Sequence, residues 1–188
     1  SAALNNGSTV SSRHPMPSIW VSICSIKASR RSHQKILSAA RSGSDCVRST
    51  VLIDTGFLIA LFDRTDTLHE SAKQMLATLV RDRRLELVSV WPTVVETCFF
   101  LDPRGKRALL QWIERGAMRL RPIEIGDLAA ISDVIARFAE HNIDLADATL
   151  VWLAEAEGTR QVLTTDRSDF DMLRTARGHS FERLWVRP

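Results

Sequence analysis

The sequence predicts an α/β fold with a central, mostly parallel sheet and helices on both faces. Three observations predict it. Short apolar runs such as Val51-Leu52-Ile53 and Leu85-Glu86-Leu87-Val88-Ser89-Val90 have the length and composition of buried strands. Longer segments with apolar residues at helical spacing lie between them, and strands alternating with helices build a parallel sheet. Residues 145–157 are apolar almost all round, as only an interior helix would be.

Taken in order, Val51 to Ile53 is a strand that ends at Asp54-Thr55-Gly56, and Phe57 to Phe62 a short helix. Leu68, Ala72, Met75, Leu76, Leu79 and Val80 recur at helical spacing and predict a helix over 67–82. Leu85 to Val90 is the second strand. Pro92 suits the first turn of a helix, where its missing N–H is harmless. That helix runs to about Leu101 and stops before Asp102-Pro103. Residues 105–115 form another, with Leu109, Leu110 and Ile113 inward. Leu120 to Ile123 is a third strand, and Leu128, Ile131, Val134, Ile135 and Phe138 mark an amphipathic helix. Asp144 can cap the helix that follows, and Gly158 ends it. Gln161 to Thr164 is a fourth strand and Arg183 to Val186 a fifth.

The chain has 188 residues, enough for one domain and a tail, and carries a formal net charge of +3. The excess is local. Residues 1–50 hold Arg13, Lys27, Arg30, Arg31, Lys35, Arg41 and Arg48 against one acid, Asp45, so the rest of the chain is net acidic. Overall basicity is therefore no argument for nucleic-acid binding by the core. The Ser- and Arg-rich composition of 1–50 fits a transit-type peptide, a basic arm for an acidic partner, or a disordered or upstream extension. The abrupt onset of periodicity at Val51 favours the last, with the folded domain spanning 51–188.

Several classes are excluded. Cys24, Cys46 and Cys98 are odd in number and unpaired in spacing, which argues against a disulfide framework and for a reducing compartment, the cytoplasm. His14, His33, His69, His141 and His179 make no zinc-ligand spacing. No apolar run approaches a membrane span.

The chemistry rests on acids at element ends. Asp54 follows the first strand, Glu96 sits inside Thr93-Val94-Val95-Glu96-Thr97-Cys98-Phe99-Phe100, Asp147 opens a buried helix, and Asp166 ends the fourth strand. Each has an ordinary alternative: Asp54 as a helix cap, Glu96 on an exposed helix stripe, and Asp144, Asp169 or Asp171 as cap or turn residues. In a parallel sheet, however, the carboxyl ends of the strands share one edge, and ligands bind there. Two carboxylates ~5 Å apart repel by about 3 kcal/mol at an effective dielectric of 20. A converging set therefore points to a hard divalent cation.

These residues resemble the PIN domain, specifically the VapC-like ribonuclease toxins of bacterial toxin–antitoxin pairs. The resemblance covers about Val51 to Pro188. It rests on Leu52-Ile53-Asp54-Thr55-Gly56-Phe57-Leu58, Thr93-Val94-Val95-Glu96, Asp144-Leu145-Ala146-Asp147-Ala148 and Leu163-Thr164-Thr165-Asp166-Arg167-Ser168-Asp169-Phe170. It implies a three-layer α/β/α sandwich and a quartet of acids, Asp54, Glu96, Asp147 and Asp166, holding Mg²⁺ or Mn²⁺, with Asp144 and Asp169 as auxiliaries. Thr55 and Thr165 match small hydroxyl residues near that site. The implied activity is metal-dependent hydrolysis of RNA phosphodiester bonds, with a small antitoxin and a second copy of the chain as partners. Translation is expected to start at Val51, where such proteins commonly begin.

Phosphate contacts would come from Arg104, Lys106 and Arg107, together with Arg115, Arg119 and Arg121. Arg81, Arg83 and Arg84 form a second group, and a solvated basic face explains any one of these as well. The alternative function is a non-catalytic PIN-like module that binds RNA or protein. A phosphatase using Asp54 would want a second Asp two residues on, where Gly56 stands. A receiver domain would want adjacent early acids and a Lys after a late strand, which are missing.

Overall fold

In a computed structural model, residues 49–82, 84–166 and 168–185 are described. The expectations for the basic extension, apart from Ser49 and Thr50, lie outside the described residues. So do those for Arg83 and Val186.

Among the described residues, five parallel strands form one sheet in the order β3-β2-β1-β4-β5. They are β1 (Ser49–Ile53), β2 (Leu85–Ser89), β3 (Arg119–Leu120), β4 (Gln161–Leu163) and β5 (Glu182–Arg183). Helices α1 (Thr55–Phe62) and α2 (His69–Leu79) connect β1 to β2. Helices α3 (Trp91–Phe100) and α4 (Pro103–Glu114) connect β2 to β3. Helices α5 (Leu128–Arg137) and α6 (Leu145–Glu157) lead to β4, and the short α7 (Ser168–Met172) precedes β5.

Side chains alternate across the strands, and this makes the three layers. Val51, Ile53, Leu87 and Leu163 face one core with Phe57, Leu58 and Leu61 of α1, Leu76 of α2, and Leu109 and Trp112 of α4. Leu52, Val88 and Val162 face the other with Ile131 and Val134 of α5, and Leu150, Val151 and Leu153 of α6. Truncating a fully buried side chain such as Ile53 to Ala would cost about 2–5 kcal/mol. Helix α6 is buried continuously from Ala148 to Ala154, as its composition predicts. It ends at Gly158, whose left-handed backbone (φ 66) lets its N–H turn back to the carbonyls of Ala154 and Glu155.

Two elements differ from expectation at the sheet edges. β3 is Arg119–Leu120 rather than 120–123, and β5 is Glu182–Arg183 rather than 183–186. Both are edge strands of two residues, so pairing with one neighbour sets their limits. Helix α7 falls where Asp169 and Asp171 are expected only as cap or turn residues. Among the described residues no helix is long and apolar enough to cross a membrane.

Candidate metal and nuclease site

The strand order reverses beside β1: the chain builds β2 and β3 on one side, then returns to add β4 and β5 on the other. The crevice between the carboxyl ends of β1 and β4 is thus the switch point where open α/β sheets bind ligands. The two strands are closed there by the Asp54 N–H donating to the Leu163 carbonyl (3.0 Å). On the other flank the buried Ser89 hydroxyl donates to the Ile53 carbonyl (2.8 Å).

Asp54 is the N-cap of α1 and accepts from the Gly56 N–H at Oδ2 (3.3 Å). Its capping role and its burial coexist: it is 7% exposed. The Thr164 hydroxyl donates to the same Oδ2 at 2.7 Å and itself accepts from the Asp166 N–H at 2.8 Å. One hydroxyl therefore ties the end of β4 to both Asp54 and Asp166. Burial pushes the Asp54 carboxyl up to about 6. Hydrogen bonds from Thr164 and from the Thr55 and Gly56 backbone oppose the rise, and the charge of Glu96 adds to it.

Glu96 stands midway along α3, on a half-buried flank. Thr55, the first residue of α1, donates its hydroxyl to Glu96 Oε2 at 2.6 Å. Burial raises the Glu96 pKa, and the Thr55 hydroxyl counters it. Asp144 raises it further, by its charge and by lying within hydrogen-bonding reach. The two carboxylates repel, and a shared proton or a cation would relieve that repulsion. Asp144 caps α6 as expected, accepting from the Asp147 N–H at 2.8 Å. Asp147 lies one turn into the helix, half-buried.

Asp54, Glu96 and Asp144 are thus in electrostatic contact, Asp166 joins Asp54 through Thr164, and Asp147 joins Asp144 through its backbone. Among the described residues no Lys or Arg pairs with Asp54, Glu96 or Asp144. Their all-oxygen, mutually repelling donor chemistry fits a hard divalent cation. As the side chains stand, no three His, Cys, Asp or Glu among the described residues are arranged to hold a metal ion. Asp169 falls on α7, and its side chain is outside the described residues.

The basic candidates are placed elsewhere. Arg104 and Lys106 flank Gly105, which packs against the Phe62 carbonyl at the far end of α1 from Asp54. That is about 12 Å for an eight-residue helix. Arg107 is exposed on the same helix, α4. Arg119 pairs with Glu86 (3.3 Å) and Glu157 (2.7 Å), and Arg121 with Glu157 (3.3 Å), at the end of α6 opposite Asp144.

Sequence reasoning singled out Thr55 and Thr165 but missed Thr164. Its signal was a hydroxyl two residues before Asp166 at a strand end, which only the register of β4 against β1 turns toward Asp54. It also gave Asp144 mainly a capping role, whereas the structure sets it beside Glu96.

The PIN domain family model matches residues 51–176. Ribonuclease VapC26 of Mycobacterium tuberculosis is 28% identical over 136 residues, covering 70% of this chain and 97% of that protein. The crystal structure of Mycobacterium tuberculosis VapC20, described as a Sarcin-Ricin loop cleaving toxin, superposes with a TM-score of 0.57 at 18% identity. That match covers 65% of this chain and 94% of VapC20. With its fold, its switch-point acids and this family match over most of its length, the chain belongs to the PIN domain family.

Proposed function

We propose that the chain is a divalent-metal-dependent endoribonuclease, the toxin of a toxin–antitoxin pair. The observation that carries the reading is Asp54, a buried carboxylate at the switch point whose charge is opposed by burial and by Glu96 and, among the described residues, is matched by no basic side chain. The likeness to a protein named a ribonuclease supports RNA as the substrate.

Mg²⁺ or Mn²⁺ would be held by Asp54, Glu96 and Asp147, with Asp166 completing the set and Asp144 and Asp169 as auxiliaries. The ion would supply water activation and charge neutralisation at the scissile phosphate. The protein's own part is positional. Thr164 and the Gly56 N–H fix Asp54, Thr55 fixes one oxygen of Glu96, and α6 presents Asp144 and Asp147 from its positive N-terminal end. Arg104, Lys106 and Arg107, about a helix length away, suit flanking phosphates of a longer strand better than the scissile one.

The expected protein partners, an antitoxin and a second copy, draw support from α3. Trp91, Val95 and Phe99 are exposed in one ridge beside Glu96, and Phe99 is 80% exposed. A cytoplasmic site of action belongs to the same reading.

The test is cleavage of a mixed RNA pool by the purified chain with Mg²⁺ or Mn²⁺ and with EDTA, alongside Asp54→Asn and Asp147→Asn. Metal-dependent cleavage lost in both folded variants is expected. Absence of cleavage with any metal, together with RNA or protein binding, would instead establish a non-catalytic module.

A further inference from the structure

Gly56 is a glycine without a backbone reason. It occupies the second position of α1, where the chain is helical, and it is not among the glycines with positive φ. Glycine is disfavoured inside a helix relative to alanine. What it provides is space. A Cβ at position 56 would collide with the Thr165 hydroxyl, and would stand 3.2 Å from Thr165 Cβ and 3.4 Å from Thr165 N. Thr165 is the middle residue of the segment whose neighbours reach the site: Thr164 donates to Asp54, and Asp166 donates its N–H to Thr164.

We propose that Gly56 and Thr165 are a matched steric pair, in which the missing side chain on α1 seats Thr165 and thereby sets the position of the Asp166 segment against Asp54. They are positioning residues. With the seat filled, Thr165 is lifted from the first turn of α1, and the hydrogen bonds from Thr164 to Asp54 and from Asp166 to Thr164 lengthen together. Only the metal-binding consequence rests on the nuclease reading; the seating itself does not.

The experiment uses the full chain as wild type, Gly56→Ala, Thr165→Ala and the double variant. Amide hydrogen exchange is followed in the peptide containing Asp166, with β1 and α6 peptides as references for the fold. Gly56→Ala is expected to speed exchange at the Asp166 amide at least tenfold while β1 and α6 stay protected. The double variant should recover most of that protection, because removing the Thr165 hydroxyl relieves the closest contact. In parallel, the Mn²⁺ concentration giving half of the maximal rise in melting temperature should increase at least tenfold in Gly56→Ala and fall back in the double variant.

Unchanged Asp166 exchange in Gly56→Ala overturns the pair, as does faster exchange that Thr165→Ala does not repair. If Gly56→Ala does not fold alone, recovery of folding in the double variant supports the pair and failure to recover overturns it. Repair of exchange in a protein whose wild type ignores Mn²⁺ upholds the pair and defeats the nuclease reading.

Discussion

Asp54→Asn should stabilise the metal-free protein while abolishing its activity. Asp54 goes from an ordinary 3.8 to about 6 in the folded state. Two pK units correspond to about 3 kcal/mol. The sign follows from proton counting: between these values the native chain holds more protons than the unfolded one, so stability falls as pH rises from about 4 to about 6. Above that range the ionised carboxylate is a standing liability. Asparagine carries no charge, and its amide oxygen can occupy the Oδ2 position, keeping the bonds from Thr164 and the Gly56 N–H.

The assay is urea unfolding of wild type and variant in EDTA at a series of pH values from 4 to 8. The curves should meet near pH 4, with the variant more stable by roughly 3 kcal/mol at pH 8. Mg²⁺ should then stabilise the wild type, by about 2.7 kcal/mol at a hundred times its dissociation constant, and leave the variant unmoved. A variant less stable than wild type at pH 8, or two parallel pH profiles, would refute the reasoning.

Other perturbations follow from the same contacts. Thr164→Val removes the hydroxyl that offsets the burial of Asp54, so the metal-free chain should lose about 1–3 kcal/mol at neutral pH in urea titrations and RNA cleavage should fall. Thr55→Ala releases Glu96 Oε2; cleavage should drop and need more Mn²⁺, measured as activity against metal concentration. Glu157→Gln breaks the pairs with Arg119 and Arg121 far from the acids, so it should cost no more than about 1 kcal/mol and leave cleavage rates unchanged. Phe99→Asp places a charge on the α3 ridge and should weaken self-association in sedimentation experiments without lowering the melting temperature of the monomer.

The sheet and its main helices were legible because their burial is written locally. Leu52 and Ile53 must be covered on both faces, α6 has no polar side to show solvent, and Gly158 marks its end. The edges were not, since Arg119–Leu120 and Glu182–Arg183 are strands only by virtue of a neighbour, and Ser168–Met172 is too short for periodicity. The site followed the same division. Asp54 and Glu96 stood out as acids in apolar company. Thr164 looks like any strand-end threonine until β4 is laid against β1, and the approach of Asp144 to Glu96 depends on how α3 and α6 pack.

The hydroxyl of Thr164 meets Asp54 across 110 residues of chain. A contact of such sequence separation forms late, because the intervening loop must close before it is rewarded. During synthesis, β1 to α5 can emerge and compact with the crevice still open on one side. On the nuclease reading, cleavage is therefore expected only once β4 has left the exit tunnel, and a chain truncated before Gln161 is expected to cleave no RNA, since it lacks Thr164 and Asp166.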